Sequence, residues 1–254
     1  MNDIVIKAEN LTIGYKENIV LQDLNFSVKQ GEIFGILGNS GCGKSTLLKN
    51  IIGIFSPLKG KITLLGEEMN NSDSKSYRKL MTKIGITYQG GALFSSMTVA
   101  ENVALPLELH TDKSKDEISD IVNEKLKLVD LEDFGNYFPG ELSGGMKKRA
   151  GLARAIALDP QILFFDEPSA GLDPLASADL DRLILAMREK NPALTVVVVT
   201  HELDSIFTIT DRVIVIDKHK KNIAADGNAE FLLHNTSDDF VRKFLSRNGL
   251  KRRY

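Results

Sequence analysis

Gly38-Asn39-Ser40-Gly41-Cys42-Gly43-Lys44-Ser45 fits the pattern G-x-x-x-x-G-K-[ST]. Glycines let a backbone wrap closely round phosphates, and a helix that starts there presents free N–H groups to them. In such a loop Lys44 reaches the terminal phosphates and the Ser45 hydroxyl ligates Mg²⁺. A second run, Gln161-Ile162-Leu163-Phe164-Phe165-Asp166-Glu167-Pro168, is an apolar strand ending in two acids. Carboxylates placed there emerge at the strand's carboxyl end, where α/β sheets bind ligands. Asp166 is placed to hold the magnesium, directly or through water, and Glu167 to polarise an attacking water. Alone such a pair is commonplace; after a phosphate loop it argues for nucleoside triphosphate hydrolysis. Cys42, the one cysteine of the chain, takes a free position of the loop and is expected to be a passenger.

The flanking pattern supplies elements to position these groups. Leu24, Phe26 and Val28 alternate with Asn25 and Ser27, the period of a half-buried strand. Glu32 to Leu37 reads as a buried strand entering the glycine turn, followed by a helix from about Lys44 to Phe55 that Ser56-Pro57-Leu58-Lys59-Gly60 stops. Ile62 to Leu65 and Ile84 to Tyr88 read as strands, with polar Asn70 to Ser76 between them. From about Gly90 to Leu158 the texture is mostly helical, with a capping-box pattern at Ser114 and Glu117. Strands return at Ile162 to Phe165, Thr195 to Val199 and Val213 to Ile216, with helices between them. This order predicts one α/β domain over 1–254, with a helical subdomain at about 90–158 inserted in its core.

Composition narrows the class. The 254 residues are 43% hydrophobic and 26% charged, ordinary for a soluble globular protein. Lys and Arg (32) nearly balance Asp and Glu (34), so no nucleic acid is expected as a partner. The basic runs Lys218-His219-Lys220-Lys221 and Lys251-Arg252-Arg253 read as a solvated turn and a frayed end. One cysteine fits a reducing compartment. No signal sequence and no apolar run near the ~20 residues of a membrane span are visible. The expectation is a cytoplasmic chain that meets the membrane through a partner.

Glu141-Leu142-Ser143-Gly144-Gly145-Met146 ends 20 residues before Asp166, and Gly171-Leu172-Asp173 follows. With the phosphate loop, this ordered set resembles the ATP-binding-cassette (ABC) family over nearly the whole chain. The resemblance implies a P-loop NTPase core with an antiparallel β subdomain and an inserted α-helical subdomain, ATP hydrolysis with Mg²⁺, and a head-to-tail homodimer. Each ATP then lies between one subunit's phosphate loop, Gly38 to Thr46, and the other subunit's Ser143, Gly144 and Gly145. Ser143 can cap the following helix, whose N-terminus forms a second anion site. Tyr15 is similar to the aromatic residue that stacks on adenine, though it also reads as an ordinary strand tyrosine. Gln89 is similar to the glutamine that touches Mg²⁺ or the attacking water and couples to the membrane partner. His201 is similar to the switch histidine at the γ-phosphate, and Asp173 to the aspartate that communicates across the dimer.

Two segments depart from the commonest pattern. The signature carries Met146 where glutamine is usual, and Gln89-Gly90-Gly91-Ala92-Leu93-Phe94 precedes Ser95 to Val103. With Gly-Gly-Met-Lys-Lys-Arg-Ala, these resemble the ATPases of Mla/Mce-type phospholipid transporters. That implies a membrane permease docking near Gln89 to Met97, with Mce-type lipid-binding subunits. Leu93 and Phe94 either contact this permease or pack under the helical subdomain. An ABC importer ATPase for a small polar solute differs only in these segments. A non-transport ABC ATPase acting on DNA or ribosomes typically has tandem cassettes or long coiled coils, and neither is present.

Overall fold

The computed structural model describes residues 3–69 and 75–246. In chain order the strands are β1 (Ile4–Tyr15), β2 (Asn18–Lys29), β3 (Ile33–Gly38), β4 (Lys59–Leu64), β5 (Glu67–Glu68), β6 (Ile84–Thr87), β7 (Ile162–Asp166), β8 (Thr195–Thr200), β9 (Arg212–Asp217) and β10 (Asn222–Gly227). The helices are α1 (Lys44–Ile51), α2 (Lys75–Met81), α3 (Val99–His110), α4 (Lys115–Leu128), α5 (Gly144–Ala155), α6 (Pro174–Lys190), α7 (Leu203–Ile209), α8 (Ala229–Asn235) and α9 (Asp239–Ser246). They form two compact units, Met1–Arg78 with Thr195–Tyr254, and Lys79–Leu194. The basic run Lys251 to Arg253 lies outside the described residues.

In the first unit, β2, β1, β4 and β5 make an antiparallel sheet. A second group runs β10–β9–β3–β8, with β3 parallel to both β8 and β9 and β10 antiparallel. All six residues of β3 and of β8 are buried, as parallel strands covered on both faces require. Leu37, Ile206, Val213, Val215, Val241 and Leu245 share one core cluster, which seats α7 and α9. Arg212 ties the start of β9 to its surroundings: its guanidinium donates to Glu32 Oε1 at 2.7 Å, to Asp226 Oδ1 at 2.6 Å and to the Ser27 carbonyl. The same group lies 4.8 Å from the Phe34 ring centroid, and Phe34 stacks on Phe26.

The second unit holds the parallel pair β6–β7 and helices α3 to α6. Capping boxes start two of the helices: Thr98 with Glu101 at α3, and Ser114 with Glu117 at α4. Each serine or threonine accepts from the third helical N–H while the glutamate accepts from the cap backbone, so two orphan donors are satisfied together.

Several boundaries differ from the sequence reading. The helix after the phosphate loop ends at Ile51, not Phe55. Gly53, at φ 75, closes it: Gly53 N donates to Asn50 O and Ile54 N to Lys49 O, so the last turn finds partners four residues before Pro57. Leu65 lies beyond β4 in a turn, at φ 50. Within the stretch read as helical, residues 90–98 form a loop and the first helix starts at Val99. The polar stretch from Asn70 is described only from residue 75, where α2 begins.

Candidate nucleotide site

The phosphate loop is built by close backbone packing. β3 ends at Gly38, whose φ of 156 carries the chain into the turn, and a Cβ there would lie 2.5 Å from Cys42 Sγ. Cys42 N donates to Asn39 O, and Gly43, at φ 108, sits at the N-cap of α1 against Val20 and Leu21. No side chain caps α1, and its first turn carries no acid. Its N–H groups thus face the loop's hollow, the arrangement that binds anions. Lys44 is 6% exposed and arches back, Nζ donating to the Gly38 carbonyl at 2.9 Å. Ser45, Ser40 and Gly41 are exposed at the mouth. Cys42 is buried, and burial pushes its thiol pKa up despite the charge of Lys44.

Tyr15, at the end of β1, is 47% exposed. Its hydroxyl lies 3.3 Å from Thr46 Oγ1, and its ring meets Phe55 edge-on at 5.6 Å. An exposed aromatic face thus stands beside the first turn of α1. His201 follows β8 with about half its side chain exposed, Nε2 3.7 Å from Glu202.

The second unit holds the carboxylates and the signature. β7 delivers Asp166 from a buried run, and Glu167 follows at φ 51. Burial, and then the Asp166 charge, raise the pKa of Tyr88, which places that hydroxyl in the field of Asp166. Gln89, next along, is exposed. Ser143 is the N-cap of α5, with Oγ accepting from Met146 N at 3.2 Å, and Gly144 and Gly145 open the helix without side chains. Met146 lines a cavity of about 240 Å³ with the apolar Leu172, Ala176 and Leu180 and with the polar Ser143, Lys148 and Arg149. Asp173 caps α6, accepting from Leu175 N and Ala176 N at 3.0 Å each.

Sequence reasoning missed three residues that organise this unit. Asn102 and Arg154 brace the loop after Gln89, Arg154 donating to Gly91 O at 3.1 Å and lying 5.8 Å from the Phe94 ring centroid. Lys148 grips the turn after Glu167. Asn102 and Lys148 lie in segments that the resemblance covers, but nothing in their spacing names these contacts, and only the structure reveals them.

Residues 21–170 match the ABC transporter family model. The chain belongs to the ABC transporter family. This ATPase is 41% identical over 244 residues to the probable ribonucleotide transport ATP-binding protein mkl of Mycobacterium leprae (96% of this chain, 69% of that one). It is 38% identical over 245 residues to the intermembrane phospholipid transport system ATP-binding protein MlaF of Haemophilus influenzae (96% and 91%). It is 39% identical over 245 residues to the methionine import ATP-binding protein MetN of Francisella tularensis (95% and 69%). Among solved structures, the dimeric post-hydrolysis cassette MJ0796 bound to ADP and Pi superposes with TM-score 0.80 at 32% identity, covering 88% of this chain and 98% of that one. The cbiO1 subunit of the Clostridium perfringens cbiONQ transporter complex gives 0.82 at 30% identity, covering 98% and 97%. The cassette's nucleotide is ATP and its metal is magnesium. The side chains expected to hold that ion, Ser45 and Asp166, offer oxygen alone, the donor type magnesium takes. Magnesium takes few protein ligands and relies on phosphates and water for the rest.

Proposed function

We propose that this chain is the ATP-hydrolysing subunit of a transporter that moves phospholipid or a similar lipid through a partner permease. It works as a head-to-tail homodimer with composite ATP sites. The phosphate loop, Gly38 to Thr46, holds the phosphates with its backbone, Lys44 supplies positive charge, and Tyr15 stacks on adenine. Ser45, Asp166 and Gln89 would hold the magnesium, which would supply positive charge to the phosphate oxygens. Glu167 polarises the attacking water, His201 contacts the γ-phosphate, and Ser143, Gly144 and Gly145 of the partner subunit close the site. Asp173 communicates across the dimer. Residues 90–158 act as the helical subdomain. Most of this catalysis is positioning and charge stabilisation.

One observation carries the lipid reading. The two segments that resemble lipid-transporter ATPases, Gln89 to Val103 and Gly144 to Ala150, lie against each other through backbone at Gly91. A Cβ on Gly91 would lie 2.6 Å from Lys147 O, and one on Gly151 would lie 2.8 Å from Gly91 O. The likeness to MlaF supports the same reading, and the similar identity to MetN supports a second, an importer of a small polar solute. Phe94 is 51% exposed and Leu93 half-buried, which favours permease contact over internal packing for Phe94. Among the described residues no helix is long and apolar enough to cross a membrane. The permease places the cassette at the cytoplasmic face, with Mce-type lipid-binding subunits as further members.

Purification of the intact complex followed by native mass spectrometry tests this. The expected result is a permease with bound phospholipid, lost together with partner-stimulated hydrolysis in Phe94→Asp while ATP binding persists. A permease accompanied by a soluble amino-acid-binding protein would remove the lipid reading and leave the transporter ATPase.

A further inference from the structure

Lys148 lies in the second turn of α5, the helix that Ser143 caps. Its Nζ donates to the Pro168 carbonyl at 2.6 Å and to the Ala170 carbonyl at 2.5 Å. Both carbonyls belong to the turn that leaves Glu167. That turn starts at φ 51 and closes through Ala170 N to Glu167 O at 3.2 Å and Leu172 N to Ser169 O at 3.0 Å. Ser169 Oγ, buried in the same turn, has no hydrogen-bond partner among the described residues, so it adds no anchor of its own. Burial lowers the Lys148 pKa, and the Glu167 carboxylate pulls it back up, so the ammonium also lies in that carboxylate's field.

A lysine ammonium has three donors and no acceptor, and charge-assisted bonds to two carbonyls are stronger than neutral ones. Here one side chain joins the helix that begins at the signature to the backbone that aims Glu167. No motif or comparison assigns Lys148 a role.

We propose that Lys148 is a positioning residue that makes Ser143 and Glu167 move as one body, so that the two ATP sites of the dimer fire in concert. The inference rests on the composite-site reading. In that dimer, Ser143 of one protomer closes over its partner's nucleotide while Glu167 of the same protomer acts on its own. A rigid link between them carries closure at one site into the aim of the carboxylate at the other, a coupling between sites in the thermodynamic sense. Without the clamp, each site closes and hydrolyses independently.

The test uses the purified chain with MgATP and the variants Lys148→Met, Lys148→Gln and Lys148→Arg. In Lys148→Met, kcat is expected to fall about tenfold, and the Hill coefficient for ATP from near two, the limit set by two sites, to about one. Lys148→Arg, which keeps the charge and the donors, should restore much of the cooperativity. Lys148→Gln keeps a donor without charge and falls between, and it serves if the methionine variant does not fold. A wild-type Hill coefficient of one, or unchanged cooperativity in a folded Lys148→Met or Lys148→Gln, would overturn the proposal. The composite-site reading is checked apart, by ATP-dependent dimerisation of Glu167→Gln. If that dimer forms and the Lys148 variants stay cooperative, the clamp alone is wrong.

Discussion

Asn102 bonds both backbone groups of Phe94: its Oδ1 accepts from Phe94 N at 2.8 Å, and its Nδ2 donates to Phe94 O at 3.1 Å. Asn102 is fully buried, and the two N–H bonds of that amide are shared among Phe94 O, Met97 O and Thr98 O. One side chain in the first turn of α3 thus stands in for a strand partner across residues 94–98. This explains how a nine-residue loop can hold an exposed aromatic ring in place, and it makes the loop sensitive to one substitution.

Asn102→Leu should therefore cost about 2–3 kcal/mol, because it takes their side-chain partner from the Phe94 N–H and the Met97 carbonyl. Phe94 O keeps Met97 N, and Thr98 O keeps the Asn102 backbone N–H. Thermal unfolding measures the loss, and hydrogen exchange should show faster amide exchange at residues 94–98 than at α4. Equal protection of the loop in both proteins would show that Asn102 is not its brace.

Lys44→Ala should abolish ATP turnover, since the buried ammonium beside Gly38 is lost. Glu167→Gln should keep ATP binding, stop steady hydrolysis and trap a nucleotide-dependent dimer. Size-exclusion profiles with and without MgATP read both. A monomer whose turnover is independent of protein concentration would contradict the composite site.

Cys42→Ser should leave turnover within about twofold, because the residue sits at a free loop position and its thiol takes no part in the chemistry. Alkylation of Cys42 should be slow near neutral pH and accelerate only above the usual thiol range, because burial raises its pKa. ATP should slow it further. The native state holds the thiol proton more tightly than the unfolded chain does. Stability from the neutral thiol is thus full below the range in which an unfolded thiol ionises and is lost as pH rises through the higher folded pKa. Fast alkylation at pH 7 would show that the loop opens.

Arg212→Met should destabilise by about 2–3 kcal/mol, the penalty for leaving a largely buried carboxylate unpaired, reduced for partial exposure. Glu32, whose side chain is 10% exposed, loses its charge partner and keeps only the Lys29 N–H, and Arg212 itself is 25% exposed. Arg212→Lys should recover less than half, because a single ammonium cannot meet Glu32, Asp226 and the Ser27 carbonyl in one plane. Urea denaturation decides between this and a loss under 0.5 kcal/mol, which would make the network ornamental.

What the sequence determined by itself is what depends on a few adjacent residues. The turn at Gly38 to Ser45 needs glycine where φ is positive and a helix directly after, and both are written within eight positions. The same holds for the caps at Ser114 and Ser143 and for β3 and β8, whose unbroken apolar runs admit few other fates. The helix end at Ile51 was legible too, in Gly53, but Pro57 offered a louder stop signal. What only the tertiary structure decided is every role played by a polar group on a distant partner. Lys148 reaches carbonyls 20 and 22 residues away, and Arg212 meets Glu32 across 180. Backbone carbonyls look alike in every sequence, so no residue pattern announces which of them a lysine, arginine or asparagine will find. Phe94 and Met146 show the same division: both are apolar in the sequence, and only packing left one in solvent and set the other in the wall of a cavity.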